Sequence, residues 1–326
     1  MKTGKPSESV LKRSIIKSFK NRRKEVIQGA GVGEDCALFS LEENMTAASV
    51  STFSVLNSGF FSAQLMAAVN NVAASGAEPV ALLISAVLPK DYEERELKAL
   101  TTETEMVCQS LNIQAAGGDT RYSLWVLKPQ ISVTVLAKKS SLSTFAKKSS
   151  PGQDVVMTKW LGLAGTSFLV KQKREALKNR LPAGLLDEAE KFIQWISVLP
   201  EAALAVKSGI GSMHDVSRGG LFTALWELAE KDGIGLEIDI KKIPVRQETI
   251  EISEALGVNP YELYGAGSLL ITCNHGEQLV NTLKKEGIPA AVIGRTCADK
   301  ARIILNQEEK RYLDRPYTDN LEELLI

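Results

Sequence analysis

Histidine is nearly absent from this chain of 326 residues: His214 and His275 are the only two. That excludes a metal centre built from clustered imidazoles. The four cysteines, Cys36, Cys108, Cys273 and Cys297, form no CxxC pair and show no zinc-like spacing. A reducing cytoplasm is the simplest setting for such thiols. Long apolar runs are missing too. The longest, Val80 to Leu88, is far too short to cross a bilayer, and the basic N-terminus lacks the continuous apolar core of a signal peptide. Nor is there an excess of either charge, because Lys+Arg 39 balances Asp+Glu 39. Nucleic-acid binding usually shows as a basic excess, so the balance argues against it. The expectation is a soluble cytoplasmic protein with no nucleic-acid and no membrane partner.

What is present suffices for two domains, each with its own core, at 44% hydrophobic and 24% charged residues. Residues 8–24 read as a basic amphipathic helix with Leu11, Ile15, Ile16 and Phe19 on one face. Its lysines and arginines form either a solvated surface or a lid that approaches phosphates. A glycine-rich loop, Gly29 to Asp35, follows. It matches neither the dinucleotide fingerprint nor a P-loop, and its adjacent Glu34 and Asp35 suit a divalent cation. Ser62 can cap a helix running to about Ser75, which Gly76 and Pro79 would end.

Val80–Leu88 reads as a strand, 93–112 as a helix and Ile131–Ala137 as a strand. Serines, paired lysines and Pro151-Gly152 mark a boundary over 138–153, dividing the chain into domains 1–145 and 150–326. Strands are expected at 154–158, 234–240, 268–273 and 289–294. Helices are expected at 166–177, 186–197, 200–208, 221–231 and 277–286. Their irregular alternation gives an α/β or α+β class.

Two distant stretches carry the candidate chemistry: Gly117-Gly118-Asp119-Thr120 and His214-Asp215-Val216-Ser217-Arg218-Gly219-Gly220. Glycines let a backbone approach a ligand closely, as phosphate cradles require. A lone carboxylate would repel phosphate, so Asp119 and Asp215 imply Mg²⁺ between the two. Turn capping is the competing role for both. Arg218 could clamp a phosphate bidentately or form a structural ion pair. His214 either contacts nucleotide or satisfies its loop, and Lys159, at a strand end, could reach a phosphate. Trp160 suits the core better than a base-stacking platform.

These residues resemble a known superfamily. Gly31-Val32-Gly33-Glu34-Asp35-Cys36-Ala37, Asn70-Asn71 with Ser75-Gly76-Ala77-Glu78-Pro79, Gly117 to Thr120, and His214-Asp215 with Arg218-Gly219-Gly220 follow the order seen in aminoimidazole-ribonucleotide (AIR) synthase-like proteins. That group includes PurM, thiamine-monophosphate kinase (ThiL), selenophosphate synthetase (SelD) and HypE. Pro151-Gly152-Gln153-Asp154, Thr158-Lys159-Trp160 and the tail Arg315-Pro316 with Asp319-Asn320-Leu321 resemble the HypE-like, hydrogenase-maturation branch. The resemblance implies a two-domain PurM-like fold: an N-terminal α/β domain dimerising into a barrel-like core, and a C-terminal α+β domain. It also implies ATP and Mg²⁺ as cofactors and a homodimer acting on a small-molecule or protein substrate. Carried over, the nucleotide site comprises Gly33, Asp35, Asn71, Gly117, Gly118, Asp119, Thr120, Lys159, His214, Asp215, Arg218 and Gly219. Asp35, Asp119 and Asp215 are its metal ligands.

Departures from the pattern matter as much. Relatives usually carry Asp-Asp where Glu34-Asp35 stands, Thr-Asp where Ser51-Thr52 stands, and Asn-Asp where Asn70-Asn71 stands. Two carboxylates are thereby lost, which should weaken Mg²⁺ binding and with it phosphoryl transfer. HypE proper carries its reacting group on a C-terminal cysteine, whereas no cysteine follows Cys297 here. Self-modifying thiocyanate chemistry is not expected. The resemblance leaves an ATP-dependent enzyme activating an amide or carbamoyl-type oxygen, with a non-catalytic nucleotide-binding scaffold or a ThiL-like kinase as alternatives.

Overall fold

A computed structural model describes residues 10–28, 38–39, 45–55, 60–139 and 148–314. By contact the chain separates into two units, Met1–Val72 with Ala77–Leu142 and Ala73–Gly76 with Ser143–Ile326. Among the described residues no helix is long and apolar enough to cross a membrane.

The first unit begins with the short strands β1 (Val26–Gln28) and β2 (Leu38–Phe39), paired antiparallel. Its main sheet has β3 (Met45–Ser54), β4 (Glu78–Pro89), β5 (Gln114–Ser123) and β6 (Gln130–Lys139) in the order β3-β6-β4-β5. β4 and β5 run parallel, as a helical crossover between them requires. Helix α1 (Phe61–Ala74) precedes β4, and α2 (Glu94–Leu111) forms the crossover. A reciprocal Glu93–Glu96 capping box starts α2, and Asn112 in the left-handed region ends it. Along β3 the side chains alternate. Ser51 and Phe53 face α1, with the Phe53 and Phe61 rings 6.1 Å apart. Val50, 66% exposed, and Thr52 face the opposite way.

Among the described residues the expected basic helix over 8–24 winds only as far as Ser18. Leu11–Ile15 and Ile16–Ser18 make two short irregular turns, and the chain then extends. Lys20-Asn21-Arg22-Arg23-Lys24 offers no apolar spacing to continue a helix. The segment is instead pinned along α2, so it does not stand as a free lid. Arg13 pairs with Glu94, Thr101 Oγ1 donates to the Ser14 carbonyl at 2.6 Å, and Glu105 Oε1 accepts from the Lys20 and Asn21 N–H groups at 2.9 and 2.8 Å.

The second unit is built on seven strands: β7 (Asp154–Thr158), β8 (Met213–Val216), β9 (Gly235–Asp239), β10 (Ser268–Cys273), β11 (Ala290–Cys297), β12 (Arg302–Asn306) and β13 (Glu309–Tyr312). Their order is β13-β12-β9-β11-β7-β10-β8, antiparallel except between β12 and β9. The helices are α3 (Leu163–Lys178), α4 (Ala183–Glu190), α5 (Leu199–Lys207), α6 (Gly220–Asp232), α7 (Gln247–Leu256) and α8 (Gly276–Lys285). Strands β7 and β10 are apolar on both faces because both faces are covered. Val155, Met157 and Leu270 pack with Leu221, Ala224, Leu225 and Leu228 of α6, while Val156, Leu269 and Ile271 pack with α5 and α8. The expected helix over 186–197 divides into α4 and a single tight turn, Lys191–Trp195. α7 and the β12–β13 hairpin were not expected.

An ion cluster around the buried Glu25 ties the N-terminal segment to the first sheet. Glu25 pairs with Arg23 at 3.1 Å and with Lys138 at 3.3 Å, and Arg23 also reaches Glu78 at 3.1 Å. Hydrogen bonding from Arg23 holds the Glu25 carboxyl at about 2, below its ordinary 4.5. Its stabilisation is thus fully present above pH 4.5 and is lost as pH falls towards 2. Glu25→Gln should cost about 1–3 kcal/mol at neutral pH. Urea denaturation across pH should show that deficit shrinking in acid; a deficit that does not change with pH would contradict the assignment.

Candidate functional site

In the first unit the Gly117–Thr120 motif lies inside β5, an edge strand, and is not a loop. The register with β4 slips just before it, so that Leu83 faces Gly117, Ile84 faces Gly118 and Ser85 faces Asp119. Gly118 has φ +151°, and a Cβ there would lie 1.8 Å from the Ile84 carbonyl oxygen. Close strand approach therefore accounts for this glycine without any phosphate. Asp119 is exposed, as is Ser85 beside it. The register carries this row through Ser132 to Thr52, on the face turned away from α1.

Asn71 sits on α1, and its Nδ2 donates to Ser51 Oγ at 3.0 Å. Asn71, where a carboxylate was expected, is thus neutral and bonded to Ser51, while Thr52, the other such position, faces away from α1 with its Oγ1 2.8 Å from Ser132 Oγ. Asn70 is buried. Gly33 and Asp35 fall outside the described residues, as do Cys36 and the tail from Arg315.

In the second unit His214 and Asp215 lie on β8, the edge strand next to β10, and the glycines open α6. Gly219 and Gly220 have φ +69° and +67°. A Cβ on Gly219 would meet Thr223 Oγ1 at 2.2 Å, and one on Gly220 would meet the Tyr261 carbonyl at 2.5 Å. These glycines also serve close packing. The N–H groups of Gly220 and Phe222 are already bonded to the Ser217 and Tyr261 carbonyls, at 3.2 Å each, so this helix start offers an anion fewer donors than its sequence suggests.

The charged groups of this turn differ sharply in setting. His214 Nε2 lies 3.0 Å from Glu227 Oε2. Arg218 is exposed. Asp215 is only 6% exposed, and its Oδ2 has no hydrogen-bond partner. Burial pushes the Asp215 carboxyl up, against the opposing influence of His214. An unmet buried oxygen costs about 1–3 kcal/mol, and Ser217 hydrogen-bonds the same carboxyl. Glu227 gave no signal in the sequence, since only the fold brings α6 alongside β8.

Lys159 is the clearest correction to the expected site. Its side chain is 5% exposed and pairs with Glu201, itself 1% exposed, at 2.7 Å. Its Nζ also donates to the Trp195 and Ser197 carbonyls at 2.9 and 2.6 Å. All three donors of the ammonium are taken, so it has none left for a phosphate. Trp160 is half-buried, edge-on to Trp195 at 5.4 Å, with the Arg246 guanidinium 5.3 Å above its ring. Cys297 is disfavoured as a nucleophile because burial pushes its thiol up.

Among the described residues no three His, Cys, Asp or Glu side chains gather to hold a metal. The Ser51–Asn71 contact contributes no charge, and Asp119 is separated from it by the width of the sheet. The described donors of the first unit do not fit a cation held by the protein.

The burial of Asp215 has a testable sign. With its folded pKa raised, its stabilisation is complete below the unfolded value of 3.8 and is lost as pH rises through the folded value. Asp215→Asn in EDTA should therefore gain stability relative to the wild type as pH rises from 4 to 8 in denaturation experiments. A variant that loses ground across that range would show that the carboxylate is satisfied.

The chain matches the AIR synthase related protein N-terminal domain over residues 33–138 and the corresponding C-terminal domain over 150–306. It is 26% identical to the carbamoyl dehydratase HypE of Azotobacter vinelandii over 243 residues, covering 72% of this chain and 69% of that protein. Among solved structures, Escherichia coli HypE superposes with a TM-score of 0.80 at 21% identity, covering 97% of this chain and 99% of that one. A HypE structure in complex with ATP gives 0.79 at 18% identity, covering 97% and 96%. These likenesses show the fold, two units of PurM type. With both domain models matched in order, the chain belongs to the AIR synthase related family as a HypE-like member.

Proposed function

We propose that this protein binds ATP and uses it to activate or phosphorylate an amide or carbamoyl-type oxygen on a substrate yet to be identified. The observation that carries the reading is Asp215, a buried carboxylate with an unmet oxygen on the strand that leads to Arg218 and α6. Its companions for nucleotide are Arg218 and His214 in the same turn. Arg218 supplies a planar charged donor for phosphate. Attack of the substrate oxygen on the terminal phosphorus would release ADP and leave that oxygen as a phosphate ester, ready to depart. A HypE of similar fold in complex with ATP supports nucleotide as the ligand. Cytoplasmic residence belongs to the same proposal.

A homodimer formed through the first unit is part of this reading. The sheet face carrying Val50, Thr52, Ser85, Asp119 and Arg121 is exposed, and Val50 is a large apolar side chain in open solvent. Monomeric sheets seldom leave such a face uncovered.

One observation favours a second reading, in which nucleotide is bound without transfer and the protein acts as a scaffold or regulator. That observation is the neutral Ser51–Asn71 contact, which withholds charge that would steady a developing phosphate transition state.

Calorimetric titration with ATP, in EDTA and in Mg²⁺, followed by assay for ADP, separates these outcomes. The proposal expects saturable heat that falls about tenfold or more in affinity for Arg218→Ala. No heat in either buffer would remove both readings, and binding without ADP in the presence of candidate amide substrates would favour the scaffold. Sedimentation should give twice the chain mass; a monomer at all concentrations would contradict the dimer.

A further inference from the structure

The loop joining β5 to β6 is apolar where a loop is ordinarily polar. It reads Leu124-Trp125-Val126-Leu127-Lys128-Pro129. Leu124 is 66% exposed, Trp125 94% and Leu127 96%. A run of apolar side chains in open water is a fault unless something uses it. Nor is this loop slack. The Trp125 N–H donates to Ser123 Oγ at 3.1 Å. The Val55 N–H donates to the Pro129 carbonyl at 2.9 Å, tying the loop to the end of β3. At the base of the loop, Gln130 Nε2 donates to Ser54 Oγ at 2.8 Å. An apolar projection held in this way loses little freedom on docking. Trp is also among the side chains most enriched in the centres of interfaces.

We propose that this loop docks on a second copy of the chain and provides the apolar anchors of the dimer. The proposal rests on the dimer reading given above and extends it to the residues that hold the copies together. The exposed sheet face alone is too small and too polar for that task. Its four strands are ten to twelve residues long. Strand spacing and rise then give a footprint of roughly 19 by 33 Å, about 600 Å². A standard interface buries about 800 Å² on each partner. Thr52, Ser85, Asp119 and Arg121 make much of the face polar, with Val50 its one large apolar side chain in open solvent. The loop projects from the end of the same sheet, where Ser123 pairs with Pro89 and Gln130 with Ser54. It adds on the order of a few hundred Å² of apolar surface. The exposed charges around this end of the sheet are mixed, with Lys90, Arg121 and Lys128 against Asp91, Glu93 and Asp119. Mixed signs suit a self-complementary contact between copies. They give none of the basic field that draws a protein to an anionic bilayer.

Sedimentation of the full chain tests this, comparing the wild type, Trp125→Ser/Leu127→Ser and, as a control, Met106→Ser. Met106 is also an exposed apolar side chain, at 64%, but lies about three turns into α2. The wild type should dimerise, and the double variant should raise the dimer dissociation constant about a hundredfold or more. The Met106→Ser protein should match the wild type. Where the double variant yields no folded protein, Trp125→Ser alone decides, with an expected rise of about tenfold or more. A wild-type dimer that the loop variants leave unchanged overturns this proposal and keeps the dimer reading. A control that weakens the dimer as much as the loop variants also overturns it, since the contact is then general apolar adhesion. A wild type that stays monomeric at all concentrations removes the dimer reading and this proposal with it. Pelleting of that monomer with vesicles of phosphatidylserine and phosphatidylcholine would then assign the loop to a bilayer.

Discussion

A carboxylate buried without a full set of partners is expensive, and Asp215 is the point around which the functional account of this protein turns. Its strand, β8, is held in register by β10, whose own side chains are buried on both faces by α5, α6 and α8. The Gly219-Gly220 turn then sends the chain directly into α6, packed so closely against Tyr261 and Glu262 that no side chain fits at Gly220. The stability of the second unit thus holds an ill-satisfied acid in place. Such an arrangement is characteristic of sites that acquire their missing partner from a ligand.

Glycine and charge divide the work differently from what their proximity in sequence suggests. Gly118, Gly219 and Gly220 each have a neighbour that a Cβ would strike, so packing alone requires them. Of the polar groups proposed for a ligand in the second unit, Asp215 is buried and Arg218 exposed. Lys159, which has the charge for the task, is spent on Glu201 and two carbonyls inside the second unit. The Ser51–Asn71 contact shows the same economy, satisfying strand and helix locally where the family pattern leads one to expect charge.

Much of the fold was legible because its signals are local. Leu65, Val69 and Val72 recur at helical spacing and are buried, and Gly76 follows α1 with φ +78°. The apolar run Val80–Leu88 became β4, and Asp154–Thr158 became β7 with unchanged bounds. The failures share a cause: long-range partners. Gly117-Gly118 reads as a loop until β4 is placed beside it, and α7 escaped notice because Thr249 and Ser253 make up half of its buried face. The basic N-terminal stretch has helical periodicity, yet Glu94 and Glu105 of α2 hold it in another form. The order of the candidate motifs was enough to recognise the family, but not which lysine would be free.

Amide hydrogen exchange of the whole chain with and without ATP, in EDTA, addresses the central claim most directly. The account predicts that nucleotide slows exchange across residues 213–222, where Asp215 gains its missing partner and the start of α6 is steadied. Unchanged exchange over that stretch, with protection arising elsewhere in the second unit, would contradict the assignment of Asp215 and Arg218 to the nucleotide.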